Sequence, residues 1–521
     1  MRNNKIFFLL PSIADILFLI IFFYLSFSAG EGLLADCDTG YHIRAGEFIL
    51  NTHSIPRHDI FSFTAPPLPW IAHEWLSELV MALIHKKFGL TGIVIFFSFI
   101  IALTYYVLFK IIKTYRRNII LAASLIALVI GTSQLHWLAR PHIFSLFLTV
   151  IWYYLLDAYQ YDDKNYLYFL PPIMLLWVNL HGGFMAGFIL IGVYLLGNFV
   201  QFLLSEGVDN KRWRRKTKLL GLTLFVCLIV SLINPYGYHM LLFPFKLMSN
   251  KFIMGSVMEF LSPNFHESMP FTYLLFLMIT IFAISRVSLN IIEFVLIILF
   301  TYMALYSVRY IPLFAVISAP ILLRQADIIL EKMGGRFSEF LKNKSKSIAA
   351  MDASSKGHLW PVTAVLVVII FVTYGRIEYQ FDKKVKPVDA VEFLKKENLT
   401  GNMFTNGEFG DYIIYSAWPQ YKVFFDGRAD VYGEERMKDY FKLARIETGW
   451  DRVLSKYNIN WVIDNANSTL SYFFLERRDW KLIYADKVAN IFVNNTPQNQ
   501  SLIRKYPNIR LVFDEDKDGT K

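Results

Sequence analysis

Asp36-Cys37-Asp38-Thr39-Gly40-Tyr41-His42 follows the first long apolar stretch of the chain and places two carboxylates where a membrane helix is expected to emerge into water. Carboxylates beside a bilayer are energetically costly unless they bind something, so this segment is the first candidate for a functional site. An Asp-x-Asp pair can hold a hard divalent cation, Mg²⁺ or Mn²⁺, through its oxygen atoms. Ordinary surface charge on a solvated loop explains the pair equally well.

The composition indicates a membrane protein with many spans. Of the 521 residues, 55% are hydrophobic and only 18% are charged, whereas soluble domains carry about 25% charged residues. The formal net charge of +10 points to basic cytoplasmic loops rather than to nucleic-acid binding. Because Cys227 lies inside an apolar span, we expect neither a disulfide with Cys37 nor a cysteine-based metal site.

Apolar segments alternate with basic loops and predict a polytopic α-helical protein with about eleven transmembrane helices. The predicted spans lie near 6–28, 89–112, 118–135, 143–158, 166–179, 184–204, 218–233, 270–285, 289–306, 311–323 and 359–375. Arg2 and Lys5 place the N-terminus in the cytoplasm, and the basic segments 113–117, 211–216 and 324–358 agree with that orientation. The loops 29–86 and 234–269 and the C-terminus then lie on the outer side.

The composition changes near residue 376, where charged residues become more frequent and apolar runs shorten. Residues 1–375 are therefore predicted to form the membrane domain, and residues 376–521 a soluble extracytoplasmic α/β domain. Short apolar runs predict buried strands at Val423–Phe425, Trp461–Ile463 and Ala489–Val493. Helical segments near 433–446 and 449–457 separate these strands.

Polar side chains accumulate in the predicted outer loops, as an active site at the outer membrane surface requires. These residues are Asp36, Asp38, His42, Arg44, His73, Glu74, Arg140, His142, His181, Glu259 and Arg309. Each has a simpler explanation when it is taken alone. Glu74 can complement a helix dipole, Arg140 and Arg309 can lie at the lipid interface, and His181 can belong to a turn between helices.

Two glycine-containing segments of the C-terminal domain carry further candidates. Asp411 lies in Asn406-Gly407-Glu408-Phe409-Gly410-Asp411-Tyr412, and Asp426 and Arg428 lie in Phe425-Asp426-Gly427-Arg428-Ala429-Asp430. Ligands of open α/β sheets bind at the carboxyl ends of strands, which is where the second segment is predicted to lie. An internal network of salt bridges and turns is the alternative.

Several of these segments together resemble the GT-C fold glycosyltransferases, which use polyprenyl-phosphate-linked sugars as donors. The resemblance rests on Asp-x-Asp in the first outer loop and covers most of the chain through the segments Asp38–Glu47, Ile55–Thr64, His73–Leu76, Leu138–His142 and Phe425–Asp430. The last three read His-Glu-Trp-Leu, Leu-Ala-Arg-Pro-His and Phe-Asp-Gly-Arg-Ala-Asp. Glu408–Tyr412 also resembles the Trp-Trp-Asp-Tyr-Gly acceptor motif of oligosaccharyltransferases, although its tryptophans are missing, and Val257–Glu259 resembles the Glu motif of their long outer loop.

The resemblance implies an integral-membrane enzyme of the bacterial cytoplasmic (inner) membrane. It would transfer a sugar, with inversion, from a polyprenyl-phosphate donor to a protein, glycan or lipid acceptor at the outer face. The resemblance carries over Asp36 and Asp38, one of which would be the general base, and Glu259. The other aspartate, with His42 or Glu74, would orient the base or bind a metal, so the catalytic candidates are Asp36, Asp38 and Glu74, and Asp36 and Asp38 can also bind a divalent cation. The other assignments are donor-phosphate binding by Arg44, His73, Arg140, His142, His181 and Arg309, and acceptor or loop roles for Glu259, Asp411, Asp426 and Arg428.

A non-catalytic membrane scaffold or a lipid or glycan transporter is the alternative to the enzyme. A transporter is expected to carry charges near the middle of the bilayer. Here the candidate residues cluster at one predicted edge of the membrane, and this distribution favours the enzyme.

Overall fold

A computed structural model describes residues 10–63, 67–115, 118–355 and 359–512. The chain divides into two compact units. The first unit comprises Met1–Leu33, Thr91–Met248 and Met254–Glu378, and the second comprises Leu34–Leu90, Ser249–Ile253 and Tyr379–Lys521. Arg2, Lys5, Arg116 and Arg117, on which the predicted orientation partly depends, lie outside the described residues.

The first unit consists of α-helices joined by short connections. Its helices are Ile13–Phe27, Ile119–Ser133, His142–Tyr161, Leu170–Leu180, Met185–Leu204, Gly207–Val230, Tyr238–Ser249, Pro270–Ser285, Ile291–Tyr306, Ile311–Lys332, Arg336–Ser354 and Leu359–Thr373. A further helix, Trp75–Tyr115, contains a non-helical residue at Gly89 (φ 61°) next to the boundary between the units. Capping boxes begin two of the helices, with Ser12 and Asp15 at one start and Asn290 and Glu293 at the other.

Five of the described helices are long and apolar enough to cross a membrane. They are Trp75–Lys113, Ile119–His136, His142–Tyr161, Gly182–Leu204 and Val308–Lys332, and a sixth span results if the bent pair Arg336–Ser354 and Leu359–Thr373 is one crossing. Four shorter apolar helices are Ile13–Phe27, Leu167–Leu180, Pro270–Ser285 and Ile291–Tyr306. An α-helix overlaps every predicted span, while the number of about eleven membrane crossings stays a prediction.

The second unit contains a mixed four-stranded sheet with the strand order β1-β2-β4-β3. The strands are β1 (Asn402–Thr405), β2 (Ile459–Asn465), β3 (Trp480–Ala485) and β4 (Ala489–Asn494). β1 and β2 run parallel, and β4 is antiparallel to both β2 and β3. The helices of this unit are Asp38–Thr52, Val388–Glu397, Gly407–Ala417, Ala429–Ala444, Trp450–Lys456, Thr469–Glu476 and Gln500–Lys505, together with the starts of Trp75–Tyr115 and Lys251–Ser256.

The predicted strand at Val423–Phe425 is wrong. Within the described part of the chain, Val423 forms an isolated parallel bridge with Ser62 and no longer ladder, and the Val423 amide donates to the Phe61 carbonyl. The aromatic side chains after it pack against other rings, and Phe425 stacks on Tyr440 with centroids 4.2 Å apart. Packing of the two phenylalanines therefore explains this apolar run.

Candidate active site

The Asp-x-Asp segment lies at the start of a helix. Asp38 is the first residue of Asp38–Thr52, and the Asp36 carboxylate accepts a hydrogen bond of 2.8 Å from the Asp38 amide. Amide groups at a helix start lack partners within the helix and favour nearby negative charge, so both carboxylates suit this position. Asp38 is buried, whereas Asp36 is half-buried.

Asp38 and Asp411 flank Gly427 and form the carboxylate centre of the second unit. The Gly427 amide donates to both carboxylate oxygens of Asp411 at 3.1 Å. A Cβ atom at Gly427 would overlap Asp38 Oδ1 and would lie 3.0 Å from Asp411 Oδ2. Gly427 is itself exposed, so the missing side chain leaves two buried carboxylates just beneath an accessible backbone position.

Asp411 holds its proton to a higher pH than an ordinary aspartate does. Burial raises the pKa of its carboxyl group, and the neighbouring charges of Asp38, Asp426 and Asp36 raise it further. The hydrogen bond from the Gly427 amide lowers the pKa of Asp411, but by less than burial and the neighbouring charges raise it. Carboxyl groups that share one site cannot all ionise easily, and such clusters supply the acids and bases of enzymes.

Asp426 and Arg428 belong to an internal ion-pair network in the same unit. Arg428 donates to Asp426 through Nε at 2.9 Å and through Nη2 at 2.7 Å, and its Nη2 also donates to Asp59 at 2.8 Å. The Tyr432 hydroxyl donates to Asp426. The guanidinium group also lies over Trp70, with 4.7 Å to the ring centroid. These contacts match the salt-bridge alternative for the segment.

Arg428 also determines the ionisation of Asp59. Burial raises the pKa of the Asp59 carboxyl group, but the charge of Arg428 and hydrogen bonds from Ser62 and Phe61 outweigh it and lower the pKa overall. The Arg428 side chain is 2% exposed and those of Asp59 and Asp426 are fully buried. The network therefore holds one arginine against two carboxylates away from water.

His42, Glu74 and Glu78 form a second buried group, called here the histidine–glutamate cluster. His42 Nδ1 lies 3.3 Å from Glu78 Oε1, and His42 Nε2 lies 3.7 Å from Glu74 Oε2. His73 adjoins the cluster, with its Nε2 atom 3.8 Å from Glu74 Oε1. The structure thus brings the predicted residues His42, His73 and Glu74 together and adds Glu78.

Arg44, predicted to bind the donor phosphate, has its contacts in a different group. Its Nε donates to the Tyr415 carbonyl at 2.6 Å, and its Nη1 pairs with Glu47. His85 lies 3.5 Å from Glu47 and also contacts the Tyr415 hydroxyl. These contacts attach Asp38–Thr52 to Gly407–Ala417.

In the first unit, Arg140 and Arg309 both approach Glu259. Arg140 Nη1 lies 2.7 Å from Glu259 Oε1, and Arg309 Nη1 lies 3.9 Å from Glu259 Oε2. Burial raises the pKa of the Glu259 carboxyl group, but the charges of Arg140 and Arg309 outweigh it and hold the pKa well below its usual range. Two predicted phosphate ligands and one predicted loop acid therefore form one charged cluster.

His142 and His181 make defined hydrogen bonds in the first unit. The His142 Nε2 group donates to the His136 carbonyl at 2.8 Å. Trp177 Nε1 donates to the Ser145 hydroxyl at 2.7 Å, and that hydroxyl lies 2.6 Å from His181 Nδ1. Because His181 Nδ1 also accepts from the Gly183 amide at 3.0 Å, this nitrogen is an acceptor and the neutral ring carries its proton on Nε2.

Sequence reasoning missed Glu78, Asp59 and Lys386. Glu78 lies four residues after Glu74, a spacing that puts both on one helix face and could have revealed it. Asp59 gave no signal beyond its place in the Ile55–Thr64 segment. Lys386 is buried and donates to Glu408 at 2.6 Å and to the Ala35 carbonyl at 2.7 Å, contacts that span too much sequence to be inferred.

Replacement of Gly427 by alanine tests the carboxylate centre. The added methyl group would overlap Asp38 Oδ1 and approach Asp411 Oδ2, and overpacking of this kind costs about 1–3 kcal/mol. We expect Gly427→Ala to lower the free energy of unfolding by that amount, as measured by urea denaturation of the detergent-solubilised chain. Gly255→Ala is the control, because a Cβ there would meet no atom of the described residues within 4 Å. Equal stability of the two variants would contradict the described contact.

No family model matches the sequence, and no curated protein matches it. Among solved structures, the apo oligosaccharyltransferase of Archaeoglobus fulgidus superposes with a TM-score of 0.57 at 12% identity, covering 93% of this chain and 74% of the other. Oligosaccharyltransferase AglB of the same organism, in complex with an inhibitory peptide and a dolichol-phosphate, gives a TM-score of 0.53 at 13% identity, covering 87% and 69%. ArnT from Cupriavidus metallidurans, bound to undecaprenyl phosphate, gives 0.48 at 12% identity, covering 92% and 98%. The chain therefore has a mostly helical fold that is distantly similar to that of the GT-C glycosyltransferases.

Proposed function

We propose that this chain is an integral-membrane glycosyltransferase that transfers a sugar from a polyprenyl-phosphate donor to an acceptor hydroxyl or amide at the outer face of the bacterial cytoplasmic membrane. The fold of the two archaeal oligosaccharyltransferases supports this class of activity. The AglB structure holds a dolichol-phosphate, which is the kind of lipid that carries the sugar in the proposed donor.

The carboxylate centre is the single observation on which the proposal depends. Two buried carboxylates beneath an exposed glycine offer proton acceptors at a position that an acceptor molecule can approach. Burial and the charge of Asp38 raise the pKa of the Asp411 carboxyl group, so the two residues form an electrostatically coupled pair. Such a pair suits general acid–base chemistry.

In the proposed reaction the acceptor heteroatom attacks the anomeric carbon of the donor sugar. A new glycosidic bond forms on one face while the bond from the anomeric carbon to the phosphate oxygen breaks on the other, which inverts the configuration. Polyprenyl phosphate leaves with the bonding electron pair, and Asp38 takes the proton of the acceptor. Asp36 is proposed to hold Asp38 in place through the hydrogen bond to its amide. Participation of a Mg²⁺ or Mn²⁺ ion at Asp36 and Asp38 belongs to the same proposal.

For the donor phosphate we propose the arginine pair, Arg140 and Arg309, of the first unit. Both guanidinium groups face a carboxylate, Glu259, and a phosphate offers oxygens of the same geometry. Glu259 would hold the two arginines in place in the absence of donor, and the donor phosphate would replace it as their partner. His142 and His181 remain candidates for the same role, and their hydrogen bonds fix their rings.

Substitution of an arginine of the pair and substitution of the glutamate that it contacts are expected to change the affinity for lipid phosphate in opposite directions. We expect Arg140→Ala to weaken binding of polyprenyl phosphate by about 10- to 100-fold, since a hydrogen bond to a charged group contributes about 1.5–3 kcal/mol. Glu259→Gln is expected to strengthen binding, because it removes the competing carboxylate. Both changes can be measured by displacement of a labelled lipid phosphate from the purified chain. Arg212→Ala, at an exposed arginine paired with Asp163, is the control, and weaker binding by Glu259→Gln would contradict the proposal.

The activity is tested by comparing a deletion strain with the complemented strain. We expect the deletion strain to lose one glycan or glycolipid species and to accumulate a polyprenyl-phosphate sugar, both detected by mass spectrometry. Complementation by the unaltered chain restores the species. An unchanged profile of glycans, glycolipids and lipid-linked sugars would contradict the proposal and favour a scaffold. A transporter would be favoured by a different result. The deletion strain would then accumulate the lipid-linked sugar on the cytoplasmic side, while its disrupted membranes would still transfer the sugar to the acceptor.

A further inference from the structure

We propose that the histidine–glutamate cluster, His42, Glu74 and Glu78, is a binding site for a divalent transition-metal ion, with Zn²⁺ as the preferred metal. The proposal goes beyond the transferase activity and does not depend on it. It also places a cation on a ligand set that contains neither Asp36 nor Asp38.

The three side chains present one ligand atom each at a shared position. One nitrogen of His42 and one carboxylate oxygen from each glutamate all lie within 4.8 Å of one another, and all three residues are buried. Two ligand atoms bound to one tetrahedral Zn²⁺ ion lie roughly 3.4 Å apart, given bond lengths of about 2.0–2.1 Å. The 3.3 Å between His42 Nδ1 and Glu78 Oε1 is close to that value. The 3.7 Å contact of Glu74 is made with the other ring nitrogen, Nε2, so the Glu74 carboxylate would bind the ion through its place within the 4.8 Å group.

A second observation points to a missing ligand at this cluster. Among the residues that the structure describes, the buried Oε2 atom of Glu78 has no hydrogen-bond partner, and the Glu78 side chain is only 2% exposed. A buried carboxylate oxygen without a partner is costly, because it has lost its water and gained nothing in exchange. A bound cation would satisfy this oxygen and would offset the charges of the two glutamates together.

Local packing holds the ligands in place. A Cβ atom at Gly46 would overlap the Glu78 carbonyl oxygen, so this glycine lets the helix that carries His42 pack directly on the helix that carries Glu78. Glu74 immediately precedes that helix, and its carbonyl accepts the Glu78 amide at 2.9 Å, which places the two glutamates one turn apart. The Tyr41 ring lies 4.1 Å from the His42 ring. The cluster is therefore preorganised by rigid elements rather than by loops.

The donor set indicates which metal it would bind. Imidazole nitrogen with two carboxylates suits Zn²⁺ and other transition metals, whereas Mg²⁺ prefers oxygen ligands and retains water. Three protein ligands leave at least one coordination position for water or for another ligand. The Glu74 side chain, at 11% exposure, is the most accessible member and marks the side from which a metal would enter.

Metal content of the purified full-length chain tests the proposal. The chain is prepared in detergent with a purification tag that contains no histidine, is stripped with a chelator, and is then equilibrated with Zn²⁺ or with Mg²⁺. We expect one equivalent of Zn²⁺ per chain by elemental mass spectrometry and at least tenfold weaker binding of Mg²⁺. Zn²⁺ is also expected to raise the Tm of the stripped chain, because a ligand that binds only the folded state stabilises it.

The variants separate this site from adventitious binding. We expect Glu78→Gln and His42→Gln each to lower Zn²⁺ affinity at least tenfold and to abolish the Tm shift. Glu47→Gln is the matched control, since Glu47 lies on the same helix as His42 and beside another histidine, His85; it should retain the bound metal. With Co²⁺ as the probe, loss of the imidazole in His42→Gln should also change the visible absorption spectrum.

Two results would overturn the assignment. One is the absence of stoichiometric Zn²⁺ from the unaltered chain, which would indicate that His42 bridges the two glutamates as an imidazolium ion. The other is equal Zn²⁺ uptake by the unaltered chain, Glu78→Gln and His42→Gln. If Glu78→Gln fails to show a cooperative thermal transition, Glu74→Gln replaces it and the same criteria apply.

Discussion

Asp38→Asn is expected to lower the rate of sugar transfer by about 10²- to 10⁴-fold, the range typical of losing a general base. Asparagine has nearly the same shape as aspartate, but it cannot take the proton of the acceptor. The substitution also removes one of two facing buried carboxylates, so we expect no loss of stability. The rate is measured as product formed by membranes that contain equal amounts of each variant.

Comparison with Asp36→Asn shows which of the two aspartates is the general base. The amide oxygen of asparagine can still accept the hydrogen bond that Asp36 receives from the Asp38 amide, so we expect a much smaller loss of rate. Glu434→Gln, at an exposed residue paired with Lys438, should have no effect. A large loss in Asp36→Asn with a normal rate in Asp38→Asn would transfer the role of base to Asp36.

Arg428→Met is expected to lower the free energy of unfolding by about 3–5 kcal/mol, the cost of breaking a buried ion pair by removing one partner. The reason is that Asp426 and Asp59, both fully buried, would be left without their cation. Arg428→Lys should also destabilise, because lysine cannot form the two-atom contact with Asp426. Urea denaturation of the full-length chain, followed by tryptophan fluorescence, measures both effects.

A compensating variant checks that charge rather than side-chain volume causes this loss. The triple substitution of Arg428→Met with Asp426→Asn and Asp59→Asn leaves no unpaired charge, and we expect it to be more stable than Arg428→Met alone. Arg445→Met is the control, because Arg445 is exposed and its ion pair with Glu447 is 3.8 Å long. A triple variant no more stable than Arg428→Met would show that lost packing against Trp70 and its neighbours dominates.

Hydrophobic periodicity predicted the helical segments well. An α-helix overlaps each predicted span, and some bounds agree closely, as at Pro270–Ser285 and Ile291–Tyr306. Long apolar runs bounded by basic or cap residues carry this information locally. Short apolar runs do not carry this information. Val423–Phe425 has the composition of a strand, but it forms an isolated bridge rather than part of a sheet, and Phe425 packs on Tyr440.

The candidate residues were recognisable by type, but their partners were not. Asp38 and Gly427 are separated by almost four hundred residues, and nothing in either segment reveals that they meet. The assignment of Leu34–Leu90 to the same unit as Tyr379–Lys521 depends on such contacts, which neither periodicity nor composition contains. Glu74 and Glu78 could have been paired from their spacing, but His42 reaches them only through tertiary packing.

Single-turnover release of polyprenyl phosphate from a preloaded donor tests the central claim most directly. The purified chain is loaded with a labelled polyprenyl-phosphate sugar, acceptor is added, and the released lipid phosphate is followed with time. We expect Asp38→Asn to bind the donor with unaltered affinity and to release lipid phosphate at least a hundredfold more slowly than the unaltered chain. Release by Asp38→Asn at the unaltered rate would contradict the claim that this buried carboxylate takes the proton of the acceptor.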